Sequence, residues 1–349
     1  MIAPILALGA ALLFGLSAPA AKALVGGVDP WLLAGLLYLG SGVGLAVVRL
    51  VQRVLGGPTR EAAIARADLP WLLGAIVAGG IVGPVLLMFG LARGRASDAA
   101  LLLNLEGVLT ALIAWIVFRE HFHTRIVVGM AAIAAGALAL AWNPGARFAP
   151  EWSGLLVVAA CLAWAIDNNL TRVVSAADPL HIAAIKGVIA GTINVLIALA
   201  RGVSWPPTDI VLGAAVVGLL GYGTSLVLFV LALRHLGTSR TGAYFSTAPF
   251  IGAVVAIIAL GETVTPNLAV AAGLMALGVW LHLTERHEHA HRHEALEHEH
   301  AHRHDEHHEH SHPPGSIVTE PHTHRHVHAP LRHRHPHYPD LHHRHGHED

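Results

Sequence analysis

Residues 97–120 read SDAALLLNLEGVLTALIAWIVFRE, and residues 239–262 read SRTGAYFSTAPFIGAVVAIIALGE. In the first stretch, the run from 99 to 118 would form a helix of ~30 Å, the thickness of a bilayer's hydrocarbon core. One ionisable residue interrupts it, Glu106, about two turns from the Asp98 end. A carboxylate at that depth is costly unless it faces a bundle interior, a watery cavity or a partner. The second stretch lies in the later half of the chain and aligns Ser97 with Ser239 and Glu120 with Glu262. In that register Glu106-Gly107 meets Ala248-Pro249, so the chain is duplicated and one copy alone carries the acid.

The duplication reaches further back. LFGLSAPAAK (13–22) aligns with AWAIDNNLTR (163–172), setting Phe14 on Trp164, Ser17 on Asp167 and Lys22 on Arg172. Ten apolar spans are predicted, at 2–24, 31–52, 70–92, 98–118, 124–142, 153–173, 180–200, 209–233, 240–260 and 264–283. With 54% hydrophobic residues, 13% charged residues and 36 glycines, these spans have no soluble reading. The expected fold is all-α and integral to the membrane, in two five-helix halves, 1–142 and 153–284. Five spans per half force opposite insertion, an inverted repeat of the kind secondary transporters use, with substrate bound near the midplane. No phosphate-cradling motif appears. The first span lacks a basic n-region and its only cation, Lys22, follows the apolar run, so it reads as a span and not a cleaved signal.

Arg and Lys in alternate connections set the orientation. One side takes nine, with the excess concentrated early (Arg49, Arg53, Arg60, Arg66), and the other takes five. That puts both termini in the cytoplasm of a multi-pass plasma (inner) membrane protein. The lone cysteine, Cys161, excludes an intrachain disulfide and reads as apolar packing.

The FGxSxPxxK end of span one, the Ala-rich junction leading to Leu105-Glu106-Gly107-Val108, and the Arg-Glu and Gly-Glu pairs closing spans four and nine resemble the EamA-like drug/metabolite transporter superfamily. The resemblance covers essentially 1–284, twice over. It implies ten helices, cytoplasmic termini and a central cavity moving small metabolites without ATP hydrolysis. Many relatives carry Glu-Pro at the fourth span; this chain has Glu106-Gly107 and keeps the proline only at Pro249.

Few polar residues sit at membrane depth, so each is a candidate for substrate or coupling. Asn104 and Glu106 lie on span four, where a buried carboxylate suits proton coupling or a substrate amine. Asp167, Asn168 and Asn169 close span six, where amides offer both donors and acceptors to a zwitterion or sugar. Lys186 interrupts span seven and shares a face with Asn194; it either snorkels, pairs with Asp167 or Glu106, or binds an anion. Tyr222, Ser225 and Tyr244 are weaker candidates. No Ser-His-Asp set, carboxylate dyad or zinc-hydrolase motif can be assembled, so no enzyme is predicted and no cofactor is required.

Residues 285–349 form a third region, a His-rich tail holding 23 of the 28 histidines. EHAHRH occurs twice, at 288–293 and 299–304. With almost no aliphatic residues for a core, the tail is expected to be disordered and cytoplasmic. Imidazole suits Zn, Cu, Ni and Co, and overlapping His-x-His sites imply a buffer or sensor. The candidate ligands are His287, His289, His291, His293, His298, His300, His302, His304, His307, His308, His310 and His312. They continue with His322, His324, His326, His328, His333, His335, His337, His342, His343, His345 and His347.

The leading functional reading is a secondary carrier, an exporter of small organic metabolites, with a metal-binding regulatory or buffering tail. The alternative is a divalent-metal (Zn/Ni/Co) carrier whose tail collects or senses the ion. The spans argue against it, because a metal path wants converging His, Asp, Glu or Cys and they offer only Glu106 and Asp167. Expected partners are a small-molecule substrate, the lipid bilayer, metal ions and a second copy as a homodimer; nucleic acid is not among them.

Overall fold

The computed structural model describes residues 2–55, 64, 66–118, 124–142, 152–174, 178–284, 288–292, 296–302, 322–328 and 332–336. Its first helices are α1 (Ile2–Val25) and α2 (Pro30–Val54). Then α3 (Leu69–Ala75) runs through a π-helical segment, Ile76–Val82, into α4 (Gly83–Arg93). The chain continues with α5 (Ala96–Leu102), α6 (Asn104–Phe118) and α7 (Thr124–Ala141). The second half opens with α8 (Trp152–Val174) and α9 (Pro179–Ala200). There α10 (Thr208–Val217) runs through a second π-helical segment, Gly218–Thr224, into α11 (Ser225–Phe245). Helices α12 (Ala248–Leu260) and α13 (Pro266–Leu283) complete the body.

Local chemistry sets several starts. Asp29 and Asp178 each precede a proline, and each accepts hydrogen bonds from the first free amides of its helix: Trp31 and Leu32 in α2, Leu180 and His181 in α9. Proline at the first helical position loses nothing there, because that N–H has no partner in the helix. Thr265, before Pro266, caps α13 in the same way through the Leu268 amide.

Among the described residues, nine helical stretches are long and apolar enough to cross a membrane, and Ala248–Leu260 is a shorter apolar tenth. Their outer faces present Ile5, Leu8, Leu12, Val43, Val47, Ile116 and Ile258. Exposed aliphatic surface on this scale is made for lipid tails. The protein is a multi-pass membrane protein.

Span three has its expected extent, and two other expectations about the spans need correction. Span three is one helical path, but Ile76–Val82 widens to π-helical bonding, which adds a residue per turn without disturbing the hydropathy pattern. Span four breaks at Leu103, so its first third is the separate helix α5. The connection expected at 234–239 is helical, because α11 continues to Phe245. The stop signal arrives only at Ser246-Thr247, ahead of the proline that opens α12.

The helices pair across the two halves. Helix α2 packs on α9, α7 on α13, α1 on α11 and α12, and α8 on α4 and α6. The α2–α9 crossing is set by glycine: a Cβ on Gly42 would overlap the Val188 nitrogen, and one on Gly187 would fall 2.6 Å from the Gly42 Cα. Only bare backbone allows that approach. The main buried core runs through α1, α2, α4–α10 and α12–α13 and includes Leu33, Met88, Leu101, Cys161 and Met275.

In the tail, the expectation of no regular structure is corrected for four stretches. Strand β1 (Glu288–Arg292) pairs antiparallel with β4 (Arg332–Pro336), and β2 (Leu296–His302) pairs with β3 (His322–His328). His-x-His alternation has the two-residue period of a strand, so backbone pairing is open to it even without an apolar face. Twelve of the candidate metal ligands lie outside the described residues: His287, His293, His304, His307, His308, His310, His312, His337, His342, His343, His345 and His347.

Candidate substrate site

Helix α8 distributes the polar groups of the body. Successive helical residues point about 100° apart, so Asp167, Asn168 and Asn169 reach three different neighbours. Asp167 turns toward α9, where Lys186 Nζ donates to Oδ1 at 2.5 Å and to Oδ2 at 2.7 Å. Thr171, one turn along α8, donates to Asp167 Oδ1 at 2.8 Å and accepts from Lys186 at 3.3 Å. Both charged side chains are largely buried. Of the partners expected for Lys186, the structure pairs it with Asp167 and not with Glu106.

Asn168 turns the other way, toward α6. Its amide donates to Glu106 Oε1 at 2.9 Å and to Thr110 Oγ1 at 3.3 Å. Glu106 is half-buried in the first turn of α6 and Gly107 beside it is exposed, with nothing within 4 Å of where a Cβ would stand. Asn169 is structural: it is buried and donates to the backbone carbonyls of Thr110 and Ala165.

The floor beneath Asp167 is the first π-helical segment. Gly79 lies so close that a Cβ there would overlap Asp167 Oδ2. Its carbonyl accepts two hydrogen bonds, from Tyr38 Oη at 2.7 Å and Trp164 Nε1 at 2.9 Å. In the other half, Gly221 occupies the second π-helical segment in the register that sets Ser97 on Ser239, and a Cβ there would meet Ser17 Cβ at 2.6 Å. Ser17 is the residue aligned with Asp167, so the same contact recurs with a hydroxyl in place of the charge. π-Helical turns of this kind are frequent at functional sites.

The other candidates engage different partners, two of them at the edge of this cluster. Asn104 is buried at the α5–α6 break and donates to the Leu101 carbonyl. Asn194 is fully buried, donates to the Gly80 carbonyl at 3.2 Å and accepts from Trp31 Nε1 at 3.2 Å, tying α9 to α2 and the π segment. Its shared face with Lys186 does not make it a partner of that lysine. Tyr222 packs edge-on to Phe14 and lies 5.8 Å from the Tyr38 ring. Ser225 donates to the Ala10 carbonyl. Tyr244 sits in the last turn of α11, where its carbonyl accepts the Thr247 hydroxyl.

One end of the bundle is fastened across the halves. Lys22, at the end of α1, donates to the carbonyls of Leu91 at 2.6 Å and Gly94 at 2.8 Å. Glu262, between α12 and α13, accepts from the amides of Ala96 at 2.7 Å and Ser97 at 2.9 Å, while Arg95 donates to the Thr263 carbonyl. Burial alone would raise the Glu262 pKa. The hydrogen bonds from Ser97 and Ala96 and the charge of Arg95 outweigh it and hold the carboxyl below its ordinary value.

Tyr38, Trp164, Thr110, Thr171 and Gly79 were not picked out by sequence reasoning. Tyr38 had a signal, as the one phenol in the apolar run of span two; the others acquire meaning only from the contact with α8. Among the described residues no three His, Cys, Asp or Glu converge to hold a metal ion.

A polytopic bundle of apolar helices with a charged pair and a half-buried carboxylate in its interior is a membrane transporter in kind. The chain belongs to the EamA-like transporter family, whose model matches it twice, over residues 1–142 and 151–284. An uncharacterized transporter of Methanothermobacter thermautotrophicus is 28% identical over 285 residues, covering 78% of this chain and 83% of its own. A probable terminal-alkyne amino-acid exporter of Streptantibioticus cattleyicolor is 28% identical over 239 residues, covering 67% and 79%. A protein crystal structure at 21% identity shares the fold with a TM-score of 0.58, over 80% of this chain and 95% of that one.

Proposed function

We propose that this protein is a secondary, ATP-independent exporter of small zwitterionic metabolites of the amino-acid class, moving its substrate and not transforming it. The observation that carries this reading is the arrangement of opposite charges about α8, with Glu106 on one side and Lys186, held by Asp167, on the other. A substrate ammonium finds an acceptor in Glu106, and its carboxylate competes with Asp167 for Lys186. The amino-acid exporter among the relatives agrees with this chemistry.

The body is read as two halves, 1–142 and 153–284, inserted with opposite topology. Support comes from the two π-helical segments, which coincide in the register that aligns Ser97 with Ser239, and from the matching contacts of Gly79 with Asp167 and Gly221 with Ser17. The excess of arginine in alternate connections supports cytoplasmic termini in the inner membrane. Transport is tested in proteoliposomes preloaded with single amino acids, sugars, nucleotides or Zn. Selective counterflow of amino acids is expected; transport confined to the metal arm overturns the reading.

The tail is read as a divalent-metal buffer accessory to the body. Support comes from the strand register, which sets histidine opposite histidine at His289/His335, His291/His333, His298/His326, His300/His324 and His302/His322. Imidazole suits Zn, Cu and Ni, and the register repeats the histidine pairing along both strand pairs.

A further inference from the structure

We infer that the groove between the end of α2 and the start of α9 is a binding site for one anionic phospholipid. Where Gly42 meets Gly187 the two backbones touch, and beyond that crossing a groove opens between the helices. Its volume is about 410 Å³. Ala46 and Ala184 are small residues in its lining, Leu50, Ile185 and Val188 give it apolar walls, and Arg53 and His181 stand at its mouth.

The charge at that mouth has no counterpart among the described residues. Arg49, also at the groove, is engaged with Asp178 at 2.5 Å, and Asp178 Oδ1 is occupied by the Leu180 and His181 amides. No ion pair among the described residues neutralises Arg53, which is exposed. From Arg53 to Ala46 the groove runs ~10 Å along α2, within the ~15 Å half-thickness of a hydrocarbon core. A phosphate at Arg53 and His181 therefore lets one acyl chain descend beside Leu50 and Val188. Basic pockets between membrane helices take anionic head groups in this manner. A second copy of the chain is a poorer occupant, because a matching copy of this groove has no acid among its described lining residues to answer Arg53.

The site is tested on purified full-length protein by native mass spectrometry and thermal unfolding, with dioleoyl phosphatidylglycerol or dioleoyl phosphatidylcholine as probe. Phosphatidylglycerol is expected to stay bound as one retained lipid and to raise Tm more than phosphatidylcholine. Arg53→Gln should weaken phosphatidylglycerol retention about fivefold and leave phosphatidylcholine unchanged. Ala184→Leu, which fills the groove, should reduce retention of both. Arg53 and His181 are exposed, so Arg53→Gln and His181→Gln leave the fold intact. Equal retention of the two lipids by wild type overturns the inference, as does an undiminished phosphatidylglycerol preference in the double variant. A dimer that dissociates in Ala184→Leu, with lipid binding unaffected, assigns the groove to a second copy instead. Binding is read without transport, so the substrate assignment can fail independently.

Discussion

Lys186 on α9 reaches both carboxylate oxygens of Asp167 on α8, at 2.5 and 2.7 Å, in a position where neither side chain is well solvated. Removing one member leaves the other as an uncompensated buried charge, at a cost of about 3–5 kcal/mol. Lys186→Met and Asp167→Asn should each lower stability in detergent by amounts of that order, and the double variant should recover a large part of the loss. The coupling energy from the double-mutant cycle measures the pair; additive losses would mean that the two do not interact in the folded protein.

The π-helical floor yields a sharper contrast. Gly79→Ala brings a methyl group into overlap with Asp167 Oδ2, so the carboxylate has to leave Lys186 or the π segment has to shift. Overpacking of this kind costs about 1–3 kcal/mol. Gly107→Ala, beside Glu106 but with nothing within 4 Å, should be neutral or stabilising by up to about 1 kcal/mol. Thermal unfolding of the two variants side by side checks this, and similar Tm values would contradict the close packing at Gly79.

Much of the architecture was readable because hydropathy and duplication are properties of the chain itself. Glu106, Asp167 and Lys186 stood out for the same reason: an ionisable group in an apolar run is visible without coordinates. What could not be read was the partition of partners. Asp167, Asn168 and Asn169 are neighbours in sequence, yet one serves α9, the next α6 and the third only backbone, because a helix turns each by about 100°. Asn104 and Asn194 look alike by composition, yet one donates beside a helix break and the other bridges a helix junction. The π-helical segments leave no trace in hydropathy, since an extra residue within a turn keeps the run apolar. The helical continuation of α11 is hidden because charged residues at 234 and 240 mimic a connection.

Glu262 predicts a pH dependence. Its carboxyl is held below the ordinary value of 4.5, so the folded state binds its proton less readily than the unfolded chain does. The stabilisation it contributes is therefore present in full above pH 4.5 and is lost as the pH falls through the lower folded value. Glu262→Gln keeps an acceptor for one amide but loses the charge facing Arg95, and α5 has no side-chain cap of its own. The variant should lose about 1 kcal/mol at pH 7 and show a flatter decline of Tm below pH 4.5. Superimposable Tm–pH curves would exclude Glu262 as the source.

Glu106→Gln separates binding from folding. The Asn168 amide can still donate to the remaining carbonyl oxygen, so the contact between α6 and α8 survives while the negative charge does not. Stability should change by less than about 1 kcal/mol, whereas amino-acid counterflow should fall at least tenfold. Glu106→Asp keeps the charge and shortens the reach, and should restore part of it. Unchanged counterflow in Glu106→Gln would remove the carboxylate from any role in transport.

The tail is tested by ending the chain after Glu285. The truncated protein keeps both segments matched by the family model and every helix from α1 to α13, and loses 23 of the 28 histidines. Because a tail without aliphatic clusters cannot furnish a wall for a site between α6, α8 and α9, substrate selectivity in counterflow should be unaltered. High-capacity Zn and Ni binding, measured by equilibrium dialysis with elemental analysis, should disappear. A second variant, with histidines 298, 300 and 302 replaced by serine, removes one side of three opposed pairs and should lower the stoichiometry without abolishing binding. Should the truncated body keep its full metal stoichiometry, the ions reside among the helices, and the metal-carrier alternative replaces the amino-acid reading.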